Sequence, residues 1–203
     1  MVMGLEIERK YLHVALQPLR QKLIDNGAHC LGAHFESNWV YDDAGGTLCE
    51  SGRLLRLRSQ EWPDKTLHLL TLKLPVAEMG SFKKREERET QVADGQAMRS
   101  ILAGLGYGVI ARYEKIREPW RMGLVEVELD VLPFGEIVEL EGPEADIVSV
   151  QTRLLLDNAE TSTKSYHELH QQWLQQHNKQ LKFSFVFNAQ QRARWREKLG
   201  LSY

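Results

Sequence analysis

The chain alternates charged with apolar residues in a series of short segments, and this period of two constrains its fold most strongly. The first segment is Glu6-Ile7-Glu8-Arg9-Lys10. In an extended strand, residues i, i+2 and i+4 point to one face, so Glu6, Glu8 and Lys10 lie together. Two neighbouring carboxylates repel each other unless a cation lies between them. The segment is therefore a candidate metal and phosphate site, although an ordinary polar strand face would show the same pattern.

The pattern recurs along the chain, and the sign of the charge is sorted by segment. The later residues that share a strand face are Arg56 and Arg58; Thr71 and Lys73; Arg85, Glu87 and Glu89; Lys115 and Arg117; Glu126, Glu128 and Asp130; and Glu139 and Glu141. In an open sheet this charged face would be the solvated one, whereas in a closed antiparallel barrel it would line a tunnel. Sorting by sign favours the tunnel, because a solvated face usually mixes both signs.

The segment Glu6-x-Glu8-x-Lys10 resembles the signature of the CYTH superfamily, also called triphosphate tunnel metalloenzymes. The resemblance continues in order over residues 4–168, which makes it far more specific than the first motif alone. The further matching segments are Tyr41-Asp42, Leu55-Arg56-Leu57-Arg58, Thr71-Leu72-Lys73, Arg85-x-Glu87-x-Glu89, Lys115-x-Arg117, Glu128-x-Asp130, residues 135–141 and Lys164-Ser165-Tyr166. The resemblance implies an α+β fold: a closed eight-stranded antiparallel β-barrel with a charged lumen and surrounding helices.

Basic residues are the expected partners of a triphosphate in such a lumen. Cleavage of a phosphoanhydride moves negative charge onto leaving oxygens, and fixed cations stabilise that charge. The residues that we expect to bind phosphate are Arg56, Arg58, Lys73, Arg85, Lys115 and Arg117. Catalytic roles are expected for Lys10, Lys115 and Arg117.

Acidic residues are the expected partners of a divalent metal ion, because hard cations such as Mg²⁺ or Mn²⁺ prefer oxygen ligands. By resemblance to the family, the direct ligands would be Glu6, Glu8 and Glu141. The residues expected to hold a second ion or to orient waters are Glu128, Asp130 and Glu139.

Three functions fit such a site. A hydrolase would direct water at a terminal phosphorus of inorganic triphosphate, thiamine triphosphate or a nucleoside triphosphate. A class IV adenylyl cyclase would let the ribose 3′-hydroxyl of ATP attack the α-phosphorus. A non-catalytic binder of polyphosphate or nucleotide is the third, but binding an anion alone would need bases rather than six acids. We expect hydrolysis, because the sequence shows no signal of an adenine pocket.

Composition narrows the class of protein further. A length of 203 residues suits one domain, and a net charge of −2 argues against a dedicated nucleic-acid surface. The sequence has neither an apolar run that could span a bilayer nor a visible signal peptide, so we expect no membrane partner and a cytoplasmic location. The expected partner is a small molecule bearing a triphosphate, and a homodimer is left open.

Helices are predicted over residues 16–26, 94–105, 145–156, 167–177 and 190–198, from apolar spacing and capping residues. We place the tunnel domain at 1–168 and a helical extension at 169–203, packing on the barrel or on a partner subunit. The segment 75–81 is predicted to be a loop that leads into Lys83 and Lys84, either solvated or closing over the substrate. His167 and His170 are weak metal candidates.

Overall fold

The computed structural model describes residues 2–76 and 80–201 of the chain. Its strands are β1 (Val2–Leu12), β2 (His29–Cys30), β3 (His34–Asp42), β4 (Leu54–Glu61), β5 (Thr66–Pro75), β6 (Lys83–Val92), β7 (Gly108–Met122), β8 (Val125–Leu132), β9 (Gly135–Glu141) and β10 (Glu160–Ser162). Its helices are α1 (Leu16–Asp25), α2 (Thr47–Glu50), α3 (Gly95–Gly104), α4 (Glu144–Arg153), α5 (Tyr166–Gln176) and α6 (Ala189–Lys198). In these described ranges, none of the helices has the length and apolar character needed to cross a membrane.

Eight of the strands close into an antiparallel barrel. Successive neighbours are β1, β6, β5, β4, β3, β7, β8 and β9, and β9 pairs with β1 to complete the ring. The closing pair sets Lys10 opposite Glu139 and Glu8 opposite Glu141. Opposed residues point to the same face of a sheet, so the charged positions of different strands converge on the barrel interior. The prediction of a closed eight-stranded barrel with a charged lumen is confirmed.

Helices cover the apolar outer faces of the strands. The alternation that sends Glu128 and Glu139 inward sends Val127 and Val138 outward, and both valines are fully buried. They belong to one hydrophobic cluster with residues of α1 and α4, including Leu19. The period of two therefore produces both the charged interior and the hydrophobic core around it.

Five of the six helices lie where the sequence predicts them, with ends that differ by a few residues. Asp94 caps α3 by accepting hydrogen bonds from the backbone N–H groups of Gln96 and Ala97. Gly27 follows α1 with φ +71°, a conformation that favours glycine. The short helix α2, which lies between β3 and β4, was not predicted.

The chain beyond α5 returns to the barrel. Phe185 forms a parallel bridge with Tyr113 of β7, and the two rings stack with centroids 5.1 Å apart. Arg192 of α6 donates to Glu114 on the outside of β7, with Nη2 2.8 Å from Oε1. The extension thus contacts β7 directly, while the domain boundary at 168 stays a prediction.

Candidate active site

The barrel encloses a cavity of about 590 Å³. Most of the predicted site residues line it: Glu6, Glu8, Lys10, Arg56, Arg58, Lys73, Lys115, Arg117, Glu128, Glu139 and Glu141. Asp130 is fully buried beside the cavity, where it accepts from Lys115 and Arg117. The inward face predicted from the sequence therefore exists, and one predicted residue, Arg85, lies away from the cavity lining.

Carboxylates of β1, β8 and β9 form one side of the cavity, which we call the acidic wall: Glu6, Glu8, Glu128, Asp130, Glu139 and Glu141. The ammonium of Lys10 lies among them, 2.8 Å from Glu139 Oε1 and in contact with Glu8. Burial disfavours the charged amine, but Glu139 and Glu8 outweigh burial and raise the pKa of Lys10. Lys10 is therefore a permanent cation inside the acidic wall.

The cations near the acidic wall do not stabilise all of its carboxyl groups in the ionised form. Burial, reinforced by Glu139, raises the pKa of Glu8. Burial raises the pKa of Glu128 well above its ordinary value, even though Arg117 opposes the shift. Burial together with Glu6 and Glu139 raises the pKa of Glu141 to about 8. Carboxyl groups in this condition would ionise more readily if a further cation were bound.

Three members of the acidic wall are arranged as metal ligands. Glu128, Asp130 and Glu139 offer buried carboxylate oxygens that all lie within 4.8 Å of one another. Glu128 Oε2 is buried and has no hydrogen-bond partner in residues 2–76 and 80–201. Oxygen donors of this kind fit a hard divalent ion. Glu6, Glu8 and Glu141 line the same cavity, and their role as direct ligands stays a prediction.

Cations of β4, β5 and β7 form the other side of the cavity, which we call the basic wall: Arg56, Arg58, Lys73, Lys115 and Arg117. Arg56 donates from Nη1 to the hydroxyl of Tyr113 at 3.1 Å and from Nη2 to Thr71 at 3.3 Å. Its Nε is buried without a hydrogen-bond partner among the described residues. This unpartnered donor suits an anion in the cavity.

The two walls contact each other through their long cations. Lys73 Nζ lies 2.6 Å from Glu6 Oε1 and 2.9 Å from Glu87 Oε2. Arg117 donates two parallel hydrogen bonds to Asp130, from Nε at 2.8 Å and from Nη2 at 2.6 Å. It also contacts Glu128. Ion pairs between the two walls therefore neutralise part of the charge in the cavity.

Glu36 is a site residue that the sequence analysis missed. It is fully buried inside the basic wall, with Oε2 3.4 Å from Arg58 Nε and 3.5 Å from Lys115 Nζ. Burial opposes ionisation, but Arg58 and Lys115 hold the pKa of Glu36 well below its usual range. The signal was present, since His34, Glu36 and Asn38 alternate along β3 and share one face.

The basic run at the start of β6 differs from the expectation. Of the two alternatives left open for this run, the solvated one is wrong for Lys83, which is the first residue of β6, lines the cavity and lies 2.9 Å from Glu8 Oε1. Lys84 points away and pairs with Glu144 at 2.5 Å. Arg85 donates to the backbone carbonyl of Gly52 at 2.8 Å, so phosphate binding by Arg85 stays a prediction. Residues 77–79 of the predicted loop lie outside the described residues.

The first turn of α5 lines the cavity through Ser165, Tyr166 and His167. The hydroxyl of Tyr166 donates to the acidic wall, 2.8 Å from Glu139 Oε2. His167 Nδ1 lies 3.0 Å from the carbonyl of Phe183, and His170 packs on the rings of Phe134 and Phe185. In the described part of the chain, neither histidine belongs to a group that could hold a metal ion.

Comparison with known proteins agrees with this geometry. The model of the CYTH domain matches residues 4–172, and the chain belongs to the CYTH family. Proteins of this family bind triphosphate substrates, depend on divalent metal ions and are typically adenylyl cyclases or triphosphatases. A search of curated protein sequences gave no match.

Solved structures share the fold at low sequence identity. A candidate adenylate cyclase from Vibrio parahaemolyticus is 24% identical with a TM-score of 0.70, covering 82% of this chain and 98% of that one. The PH1012 protein from Pyrococcus horikoshii is 23% identical with a TM-score of 0.67, covering 81% and 98%. The Hippeastrum protein HpAC1, a candidate adenylyl cyclase described as having a dominant triphosphatase activity, is 19% identical with a TM-score of 0.61, covering 90% of this chain and 99% of that one. These identities establish the fold alone.

Proposed function

We propose that the protein hydrolyses a triphosphate substrate inside the barrel in a reaction that depends on a divalent metal ion. The observation that carries this proposal is the opposition of the two walls, each of which has a buried polar atom with no hydrogen-bond partner in the described part of the chain. Glu128 Oε2 on the acidic wall is suited to a cation, and Arg56 Nε on the basic wall is suited to an anion. A metal–triphosphate complex brings both kinds of charge to one cavity.

The cations of the basic wall would bind and align the phosphate chain. Arg56 and Arg58 present planar guanidinium groups that match pairs of phosphate oxygens, whereas Lys115 acts as a compact point charge. Lys10, Lys115 and Arg117 are buried, so their attraction for charge that develops on the leaving oxygens is little screened by water. Hydrolysis would break the terminal P–O–P bond and release orthophosphate.

Glu128, Asp130 and Glu139 would hold the divalent ion, with Glu6, Glu8 and Glu141 around it. When bound, such an ion supplies charge neutralisation and activation of water at the phosphorus. Lys10 would orient Glu8 and Glu139, since it contacts both carboxylates. Tyr166 would do the same for Asp130 and Glu139 through its hydroxyl.

A class IV adenylyl cyclase is the second candidate. The observation that favours it is an aromatic pair, His34 and Trp62, in the lining of the cavity, where a nucleobase could bind. A non-catalytic binder is the least supported alternative, because six inward carboxylates would oppose the binding of an anion alone.

One product assay separates these candidates. Purified protein is incubated with inorganic triphosphate, thiamine triphosphate or ATP, in Mg²⁺ or in Mn²⁺, and phosphate, pyrophosphate and cyclic AMP are then separated. We expect free phosphate as the main product. Cyclic AMP with pyrophosphate as the dominant products from ATP would overturn the hydrolase in favour of the cyclase, and no turnover at all would favour the binder.

The remaining expectations belong to the same proposal. We place the protein in the cytoplasm, acting on a small molecule rather than on nucleic acid. Size-exclusion chromatography with light scattering would show whether it forms a homodimer.

A further inference from the structure

We propose that Trp62 and His34 form the surface that recognises a flat aromatic group on the organic end of the substrate. This inference rests on the proposed function, because it takes the cavity to be the triphosphate site. It assigns Trp62 and His34 as specificity-determining residues, although the sequence showed no signal for such a pocket.

The two residues lie at the end of the barrel away from α5. His34 is the first residue of β3, and Trp62 directly follows the last residue of β4. These two strands are antiparallel neighbours, so the two residues lie at the same end of the barrel. Leu31 and Pro119 line the cavity as well and are joined by a backbone hydrogen bond of 2.8 Å. The first turn of α5 lines the cavity next to Lys10, whose ammonium lies 5.1 Å from the ring centroid of Tyr166 at the start of that helix. The cavity thus has a polar end and an end with aromatic and apolar lining.

The rings are held in a defined arrangement. The ring centroids of His34 and Trp62 lie 4.4 Å apart with 35° between the planes. Lys65 Nζ lies 4.7 Å from the ring centroid of Trp62. Trp62 is only partly buried, and it lines the cavity. Stacking on an indole accepts any heteroaromatic ring, because each presents a π-face.

Hydrogen bonding orients His34 and leaves one nitrogen without a partner. Nε2 lies 3.0 Å from Oε1 of Glu36, and Gln60 Nε2 donates to the same oxygen at 3.0 Å. Glu36 is ionised and accepts, so its contact with His34 is a hydrogen bond when Nε2 of His34 carries the proton, and Gln60 Nε2 also lies 3.3 Å from that nitrogen. In the neutral ring Nδ1 is then an acceptor, and this atom is buried without a hydrogen-bond partner among the described residues. A ring that carries an amino group could donate to it.

The spacing along the chain connects this surface to the phosphate site. Arg58, Gln60 and Trp62 occupy alternate positions, and all three line the cavity. A phosphate on Arg58 would therefore place the group attached to it toward Gln60 and Trp62. The substrate class indicated is a triphosphate ester of an aminated heteroaromatic compound, a description that fits both ATP and thiamine triphosphate.

The test measures kcat/KM for inorganic triphosphate, ATP and thiamine triphosphate with five proteins: wild type, Trp62→Ala, Trp62→Phe, His34→Gln and Trp173→Ala. We expect Trp62→Ala to lower the ratio of organic to inorganic kcat/KM by about tenfold or more, and Trp62→Phe to restore most of it. His34→Gln can keep the donor to Glu36 but loses the acceptor, so the same ratio should fall. Trp173 lines a different cavity, and its variant is the matched control, with the ratio unchanged.

An unchanged ratio of organic to inorganic kcat/KM in Trp62→Ala would overturn the assignment, whether all three substrates lose equally or none of them loses. The relative losses for ATP and thiamine triphosphate show which aromatic group the surface prefers. Calorimetric binding of the same ligands to the same variants separates this inference from the proposed function. If ATP gives cyclic AMP, the hydrolase fails, while a selective loss of ATP affinity in Trp62→Ala would still support the aromatic surface.

Discussion

The acidic wall and the basic wall are built on the same plan, since each surrounds one buried residue of the opposite charge. Lys10 lies among the carboxylates of the acidic wall, and Glu36 lies among the cations of the basic wall. Both central residues are almost completely buried, and both keep their charge because their neighbours outweigh the cost of burial. The plan lets a barrel interior hold like charges close together.

The walls differ in how completely their charge is compensated. On the basic wall, Tyr113 and Glu87 raise the pKa of Arg56 despite burial, and Glu6 raises the pKa of Lys73, so both stay charged. On the acidic wall, Arg117 lowers the pKa of Asp130 and Lys10 lowers that of Glu139 despite burial, but the pKa values of Glu8, Glu128 and Glu141 are raised. The basic wall is therefore ready for an anion, whereas the acidic wall becomes fully ionised only when a further cation binds. This difference explains why a metal–triphosphate complex, and not the anion alone, suits the cavity.

Removal of divalent ions should have the largest effect. Excess chelator should lower hydrolysis by about a thousandfold, because the metal contributes several kcal/mol to stabilisation of the transition state. Glu6→Gln, Glu8→Gln and Glu141→Gln should each lower activity by orders of magnitude while folding is preserved. Parallel assays of Glu128→Gln and Glu139→Gln show which carboxylates control the metal concentration needed for half-maximal rate. Full activity in chelator would contradict metal dependence.

Loss of a cation from the basic wall should come next. We expect each of the variants Arg56→Ala, Arg58→Ala and Lys115→Ala to have a lower kcat/KM. The expected decrease corresponds to a loss of about 2–4 kcal/mol of transition-state stabilisation, the range for one lost contact of this kind. Lys84→Ala is the control, because Lys84 pairs with Glu144 outside the cavity. Equal losses at Lys84 and Lys115 would show that the basic wall is wrongly assigned.

The sequence predicted well the features of the two walls that follow from strand alternation. Strand periodicity and the ordered motifs gave the barrel and the inward direction of residues such as Arg56 and Glu139. Glu36 was missed because β3 mixes polar and aromatic residues, so its alternation was not recognised as part of the lumen. Lys83 was left open between a solvated loop and closure over the substrate, because the predicted loop at 75–81 leads directly into it and no local pattern shows that β6 begins there.

Contacts that depend on the closed barrel could not be predicted at all. The pairing of His34 with Trp62 joins the start of one strand to the residue after another. The contact between Phe185 and Tyr113 requires the chain after α5 to return across β7. Neither leaves a local pattern, because each depends on strand register and chain path rather than on spacing in sequence.

Glu36→Gln should separate the stability of the basic wall from its chemistry. The change leaves Arg58 and Lys115 buried without their shared anion, and breaking such a pair costs about 3 kcal/mol in the free energy of unfolding. Denaturant unfolding measures the loss, and added inorganic triphosphate should recover part of it by replacing the missing negative charge. Glu86→Gln is the control, since Glu86 pairs with Arg88 on the surface and should change stability by less than about 0.5 kcal/mol. Equal losses in the two variants would contradict a special role for Glu36.

The effect of Glu141→Gln on stability, as distinct from its effect on activity, should be the smallest of these effects and the most pH-dependent, and it tests the acidic wall directly. The pKa of Glu141 is raised in the folded protein to about 8 from an ordinary value of 4.5, so the folded state keeps a proton that the unfolded chain loses. Stability without metal should therefore fall as the pH rises from about 4.5 through about 8.

Gln cannot ionise, so Glu141→Gln should match the wild type at pH 4 and exceed it at pH 9. For a chain of this size, each 2–4 °C of Tm difference at pH 9 corresponds to roughly 1 kcal/mol. Thermal unfolding in chelator measures the difference, and Mg²⁺ should reduce it, because the bound ion compensates the carboxylate in the wild type. A variant that is less stable than the wild type at pH 9 would contradict this prediction. It would show that cations of the protein itself compensate the charge of Glu141 without metal, so the contrast between the walls would not extend to this residue.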